Sequence, residues 1–155
     1  MVFNPKAWLG RKTTPTAVVK ATKSSTKQRG DAAEDAALAH LQSHGLRLVQ
    51  RNFKTPGRGG GEIDLIMREP DGTLVFVEVR QRASTRQGGA AGSVTAVKQQ
   101  RIVLAARHFL LRLGSEPACR FDVVLLQGFD PATGGSSAGA TITWLRAAFD
   151  ASSDV

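Results

Sequence analysis

The chain has 155 residues, of which 41% are hydrophobic, so it is long enough for one domain with a core and too short for two. Its single cysteine excludes an internal disulfide framework, and the sequence contains neither an apolar run of transmembrane length nor the apolar core of a signal peptide. We therefore expect a cytoplasmic protein without a membrane partner.

The charged residues are sorted along the chain, although their sum is only +8. Residues 1–30 hold seven basic and no acidic residues, and residues 31–78 hold eight acidic and five basic ones. Residues 79–115 then hold seven basic and no acidic residues. An acid-rich segment before a basic one suits a cation site beside a surface that binds phosphates. The alternative is chance segregation of charges on solvated faces.

The chain begins with a basic segment and a helix. Residues 1–26, which are rich in Thr, Ser and Lys, predict a disordered basic tail, and residues 27–150 predict the folded domain. The first helix is expected from Ala32 to His44, with Asp31 as its N-cap and Gly45 as its stop.

Strands and one further helix follow. We predict strands at Leu46–Asn52, Glu62–Arg68 and Thr73–Arg80, with a Gly-rich loop (55–61) and a Pro70-Asp71-Gly72 turn between them. The second half predicts a helix, a buried strand, a Gly/Ser loop and a short edge strand, at Thr95–Leu113, Arg120–Gln127, Gly128–Gly139 and Ala140–Leu145. The order α-β-β-β-α-β plus an edge strand indicates an α/β domain.

The hairpin formed by the second and third strands brings acidic side chains together. If the turn has three residues, Glu69 lies opposite Thr73, which places Asp64 opposite Glu78 and Glu62 opposite Arg80. A two-residue turn would instead put Asp64 and Glu78 on opposite faces. By strict alternation Glu62 and Asp64 share one face, while Ile63 and Leu65 share the other. Two opposed carboxylates repel, and a shared proton or a divalent cation would compensate for the repulsion. Because Mg²⁺ prefers one or two carboxylates together with water and phosphate oxygens, the pair predicts a metal site.

Glu34 is a candidate third carboxylate. It falls in line with Leu38 and Leu41 on the first helix, which turns it toward the packed side. Its spacing from Asp31 is equally that of a capping box, so the two interpretations stay open.

These residues resemble a known family. The segments Gly61–Ile66 and Phe76–Arg80, together with Lys98, the strand Arg120–Val124, Glu34 and Asn52, resemble the YraN-like family of uncharacterised bacterial proteins. The resemblance covers roughly residues 28–149.

The resemblance implies a fold and a site. The YraN-like family is similar to the PD-(D/E)xK nuclease superfamily, which has a restriction-endonuclease-like fold with a mixed β-sheet flanked by helices. It implies that Asp64 and Glu78 hold Mg²⁺ or Mn²⁺, that the backbone carbonyl of Val79 is a further ligand, and that Glu34 is the helical acid of the resolvase-like branch. Glu62 is expected to support the site.

Arg80 departs from the superfamily pattern, which has lysine at this position. An arginine stays charged and cannot act as a general base, but it can stabilise charge on a transferred phosphoryl group. Lys98 would either supply an amine from the second helix or contact phosphate. The phosphate-contacting residues are expected to be Arg82, Arg86, Lys98, Arg101 and Arg107, near Gly88-Gly89.

Three other features are interpreted as structural. His40 and His44 have a spacing that could bind zinc, but without a third ligand nearby they are expected on the helix surface. Cys119 is expected in the core, and Trp144 and Phe149 are expected to be packing anchors.

The sequence thus predicts a nucleic-acid-binding protein with a nuclease-like fold, acting as a Mg²⁺- or Mn²⁺-dependent endonuclease on structured or branched DNA. The alternatives are a catalytically impaired nucleic-acid-binding module and a protein-interaction factor. Resolvase-like nucleases act on two-fold symmetric substrates, and this analogy allows a homodimer.

Overall fold

The structure is a computed structural model that describes residues 26–82, 94–130 and 139–152. Within these ranges the predicted order of elements is confirmed. The elements are α1 (Thr26–Ser43), β1 (Arg47–Lys54), β2 (Glu62–Arg68), β3 (Leu74–Arg82), α2 (Ala96–Leu113), β4 (Cys119–Gln127) and β5 (Thr141–Phe149). The basic tail over residues 1–25, Arg86, Gly88-Gly89 and most of the predicted Gly/Ser loop lie outside the described residues.

The five strands form one mixed sheet in the order β1-β2-β3-β4-β5. The pairs β1–β2, β2–β3 and β4–β5 are antiparallel, whereas β3 and β4 are parallel and are connected through α2. A parallel pair needs a crossover connection, and α2 supplies it. The arrangement is a restriction-endonuclease-like α/β fold, as the resemblance implies.

One helix covers each face of the sheet. Side chains of α1 (Ala33, Ala37 and Leu41) pack with Val75 and Val77 of β3, which point to that face. The opposite face carries the α2 cluster, whose members include Ile102, Ala105 and Phe109 from the helix and Phe76 and Phe121 from the sheet. Neither helix in the described ranges is long and apolar enough to cross a membrane.

The second helix begins and ends where the sequence predicts. Thr95 is the N-cap, and its side chain accepts a hydrogen bond from the backbone N–H of Lys98. Gly114 ends the helix in a left-handed conformation, with φ of 73°.

The first helix does not begin where the sequence predicts. It starts at Thr26 instead of Ala32, so Asp31 lies inside the helix and is not its N-cap. The six additional residues are exposed; Lys27, Gln28 and Arg29 among them have good helix propensity, and the helix continues through Gly30 at a modest cost. The capping-box interpretation of Glu34 is therefore wrong.

Two predictions for the C-terminal strands are also wrong. Strand β5 continues to Phe149 instead of ending at Leu145, because its register against β4 resumes beyond an irregularity opposite Asp122. Cys119 is exposed at the start of β4 and is not a core residue. Trp144 and Phe149 do pack against the two core clusters, as predicted.

The predicted hairpin register is confirmed. The backbone N–H of Glu69 donates to the carbonyl of Thr73, which closes a three-residue turn, and Leu65 pairs with Val77. The predicted Asp64–Glu78 pairing lies one residue beyond the observed ladder and follows only if this register continues.

The predicted alternation along β2 is broken next to Asp64. Ile63 packs on the α2 side of the sheet and Leu65 on the α1 side, although strict alternation would give them one face. The neighbouring strand explains the break, since Asn52 lies opposite Asp64 between two regular pairs and has a left-handed backbone with φ of 49°. Asparagine tolerates this conformation better than most residues, and such strain often marks functional sites.

Candidate metal centre

The site lies where β2 and β3 separate at one end of their ladder. The regular pairing ends at Leu65 and Val77. Beyond it, the side chain of Asp64 on β2 accepts a hydrogen bond from the backbone of β3 in place of a backbone carbonyl. Asp64 Oδ2 accepts a hydrogen bond of 2.8 Å from the backbone N–H of Val79. This bond fixes the Asp64 carboxylate beside the strand that carries Glu78.

Glu78 has one oxygen with a cationic partner and one without a donor. Its side chain is only 11% exposed, and Oε1 lies 3.4 Å from the ammonium of Lys98 on α2. Oε2 is buried and, while Asp64 is ionised, has no hydrogen-bond partner among the described residues; a protonated Asp64 can donate to Glu78. A buried carboxylate oxygen without a donor is costly unless a proton or a cation binds it.

The electrostatics of the pair follow from burial and mutual repulsion. Burial, and then the charge of Glu78, raise the pKa of Asp64 to about 7, against the lowering effects of the Val79 N–H and Lys98. Burial also raises the pKa of Glu78, and Lys98 is the main group that opposes this shift. Near neutral pH the two carboxyl groups therefore share a proton for part of the time and titrate as a pair.

Glu34 approaches the pair from α1. Its carboxylate accepts a hydrogen bond of 3.2 Å from Asn52 Nδ2, and Arg51 lies 3.5 Å away. Burial raises the pKa of Glu34, and the charge of Asp64 is the next largest cause, so the two carboxylates interact. The same Asn52 that interrupts β1 thus holds Glu34 toward Asp64.

The remaining predicted residues lie around this centre. Glu62 is on its rim, where it forms an ion pair of 3.4 Å with Lys54 of β1. Arg80 and Lys98 line a cleft of about 270 Å³ with Glu78, Val94 and Thr95. The predicted Glu62–Arg80 pairing lies beyond the observed β2–β3 ladder and stays a prediction.

Besides Lys98, the predicted phosphate contacts Arg101 and Arg107 lie on α2. The backbone carbonyl of Arg101 lies so close to Gly61 that a Cβ atom added at residue 61 would overlap its oxygen. Arg107 lines a separate groove at the end of α2, with Leu111 and Glu116. Arg82 ends β3 beyond Arg80. Lys98 contacts the acidic pair directly, through Glu78.

The donor set is of the kind that Mg²⁺ or Mn²⁺ uses, with two carboxylates and room for water or phosphate oxygens. Among the described residues no group of three or more Asp, Glu, His or Cys could hold a metal ion, so Glu34 is not a third direct ligand in this arrangement. In an extended strand the N–H and C=O of one residue point to the same side. Since the Val79 N–H points to Asp64, we expect its carbonyl to face the pair as well.

Sequence reasoning missed a second buried carboxylate, Asp122 on β4, which is fully buried. Arg120 donates to both of its oxygens, at 2.7 and 3.0 Å. The indole N–H of Trp144 and the backbone N–H of Ala147 donate to it as well. These four hydrogen bonds occupy both carboxylate oxygens, so Asp122 is not available to bind a ligand. The two bonds from Trp144 and Ala147 connect β5 to β4. The signal in the sequence was an acid inside an otherwise apolar strand.

The fold and the acidic pair define the chain as a restriction-endonuclease-like α/β protein with paired carboxylates at the edge of a hairpin. Comparison with known proteins makes the assignment more specific. The model of the uncharacterised protein family UPF0102 matches residues 33–126, and the chain belongs to this family. The resemblance to the YraN-like family is thereby confirmed.

Relatives in the same family cover most of the chain. A UPF0102 protein of Polaromonas naphthalenivorans is 65% identical over 128 residues, which are 83% of this chain and 82% of that protein. One of Albidiferax ferrireducens is 59% identical over 86% of this chain and 95% of its own. One of Acidovorax sp. (strain JS42) is 53% identical over 93% of this chain and 98% of its own. These names establish family membership and state no activity.

Proposed function

We propose that the protein is a metal-dependent nuclease that hydrolyses phosphodiester bonds in structured or branched DNA. The observation that carries the proposal is the buried Glu78 Oε2, which lacks a donor among the described residues and lies beside a second carboxylate, Asp64. A divalent cation would satisfy this oxygen and remove the repulsion between the two groups. When bound, Mg²⁺ or Mn²⁺ would polarise the phosphate and lower the pKa of a water molecule.

The side chains around the pair divide the remaining work. Asp64 and Glu78 hold the cation, and the Val79 carbonyl is a further candidate ligand. Glu34, which Asn52 holds toward Asp64, would support the site from the α1 side. Glu62 keeps Lys54 on the rim, where a phosphate group can approach that ammonium.

The basic residues on the α2 side favour a nucleic-acid backbone as the substrate. Arg80 and Lys98 both line the cleft beside Glu78, so they reach a phosphate group placed there. Arg80 would stabilise negative charge on the phosphoryl group, since a guanidinium stays protonated and offers paired donors. Arg82 and Arg101 would extend the contact along the backbone, and Arg86 is proposed to do the same. A cytoplasmic location fits this role.

Arg80 also favours a second candidate function, that of a nucleic-acid-binding module without turnover. The superfamily pattern has a lysine at this position, and an arginine cannot take a proton from water. The module would bind DNA in a salt-dependent way and would keep its affinity when Asp64 is replaced.

A cleavage assay separates the two functions. The full chain is incubated with linear duplexes, forks and four-way junctions in the presence of Mg²⁺, Mn²⁺ or EDTA. We expect cleavage of at least one branched substrate with either metal and none with EDTA. Asp64→Ala and Glu78→Gln should each lower the rate by at least about a hundredfold, because each removes a metal ligand.

Glu116→Gln is the matched control, since it removes one carboxylate from an exposed position at the far end of α2. It should cleave like the wild type. Salt-dependent binding without any product, unchanged in Asp64→Ala, would support the binding module instead. The absence of DNA binding at physiological salt would refute both functions and leave the protein-interaction alternative.

A further inference from the structure

Lys98 contacts the acidic pair in a way that suits an exchangeable cation. Its ammonium lies 3.4 Å from Glu78 Oε1, which is longer than the optimum of about 2.8 Å for a charge-assisted hydrogen bond. Its side chain is also 40% exposed. Partly exposed ion pairs of this kind are weak, so another cation can replace this one at little cost.

The single positive charge of Lys98 does not balance the charges of Asp64 and Glu78 when both are ionised. One ammonium faces one oxygen of Glu78, while Oε2 of the same side chain has no donor among the described residues and Asp64 lies opposite. When both carboxyl groups are ionised, a single positive charge leaves the pair with net negative charge. A divalent cation would neutralise both, and it would then compete with Lys98 for Glu78.

A second place for the ammonium lies within reach of the lysine stem. The cleft of about 270 Å³ is lined by Glu78, Arg80 and Thr95 as well as by Lys98, so the ammonium can turn within it from Glu78 toward Arg80 and Thr95, and the cleft has room for a phosphate group. Thr95 caps the helix at the backbone N–H of Lys98, so the start of the stem is fixed while the four-carbon chain can turn.

We propose that Lys98 is an exchangeable cation, which neutralises Glu78 until a divalent metal displaces it toward the Arg80 side of the same cleft, where it binds a phosphate oxygen of the substrate. The inference rests on the proposed function, because it requires the metal site at Asp64 and Glu78. Metal binding and phosphate binding then strengthen each other, since the metal releases the ammonium that the phosphate needs.

The test measures Mn²⁺ affinity of the full chain by electron paramagnetic resonance of the free ion, without any turnover. Lys98→Met keeps the apolar stem and removes the competing charge, so it should bind Mn²⁺ about tenfold more tightly than the wild type. Lys98→Arg keeps a cation and should stay close to the wild type. Arg112→Met is the matched control, since it removes an exposed cation from the far end of the same helix and should change the affinity by less than about twofold.

A simple structural role for Lys98, in which it orients Glu78, predicts the opposite sign, with weaker Mn²⁺ binding in Lys98→Met. That result, or an unchanged affinity, would overturn the exchange. In a second measurement, a short DNA duplex should tighten Mn²⁺ binding to the wild type and should do so less in Lys98→Met. Equal tightening in both would also overturn it.

Asp64→Asn distinguishes failure of the inference from failure of the proposed function. If Asp64→Asn abolishes Mn²⁺ binding while Lys98→Met weakens it, the metal site stands and the exchange alone is wrong. If Asp64→Asn binds Mn²⁺ as the wild type does, the metal lies elsewhere, and both proposals fail together.

Discussion

Replacing Asp64 by asparagine should stabilise the metal-free protein at alkaline pH, although it removes a proposed metal ligand. Asparagine keeps an oxygen that can accept the Val79 N–H, which Asp64 now binds at 2.8 Å. Its amide can also donate to Glu78, whose Oε2 has no donor among the described residues. The substitution thus removes a repulsive charge and supplies a hydrogen bond where one is absent.

The magnitude follows from the raised pKa of Asp64. Burial and the charge of Glu78 raise this pKa from 3.8 to about 7. In this interval the folded state binds more protons than the unfolded state, so its stability is complete below pH 4 and declines as the pH rises toward 7. A shift of this size corresponds to at most about 4 kcal/mol at 1.36 kcal/mol per unit. Solvent access to the pair reduces it, and we expect about 2 kcal/mol.

Urea unfolding in EDTA, followed by circular dichroism at pH 4.5 and pH 8, measures the effect. Asp64→Asn should match the wild type within about 0.5 kcal/mol at the lower pH and exceed it by about 2 kcal/mol at the higher one. Glu62→Gln is the matched control, because it removes an exposed carboxylate from the same strand and should give no gain at pH 8. A loss of stability in Asp64→Asn that is equal at both pH values would refute the reasoning.

Two further predictions concern the scaffold. Asp122→Asn should destabilise the protein by about 3 kcal/mol in urea unfolding at pH 7, because Arg120 loses its buried charged partner. A loss below about 1 kcal/mol would contradict a stabilising role for the hydrogen bonds between Arg120 and Asp122. Gly61→Ala should destabilise it by at least about 2 kcal/mol, because the added Cβ overlaps the backbone of α2 at Arg101. Gly30→Ala, with nothing within 4 Å of the added carbon on a helix, should instead stabilise it by about 1 kcal/mol, and thermal unfolding of the two alanine variants tests both signs.

Local sequence signals were sufficient to predict the register of the β2–β3 hairpin. The length of the Pro70-Asp71-Gly72 turn involves neighbouring residues only, and it fixed the register in which Leu65 pairs with Val77 next to the acidic pair. Strict alternation of side chains was not sufficient, because it fails at Asp64. Local signals were sufficient for α2 as well, because its cap at Thr95 and its stop at Gly114 are of this kind. The first helix shows the limit of such signals, since Asp31 has the properties of a cap but lies within a helix that starts at Thr26.

The sequence by itself determined the order of elements and the acidic pair, because both follow from periodicity and turn chemistry over short distances. Only the tertiary structure decided what surrounds the pair. The left-handed Asn52 and the approach of Glu34 depend on how α1 packs against the sheet. The contact between Lys98 and Glu78 depends on α2 covering the opposite face. These contacts join residues that are far apart in the chain. Burial shifts the pKa values of the charged groups, and no local sequence pattern specifies which groups are buried.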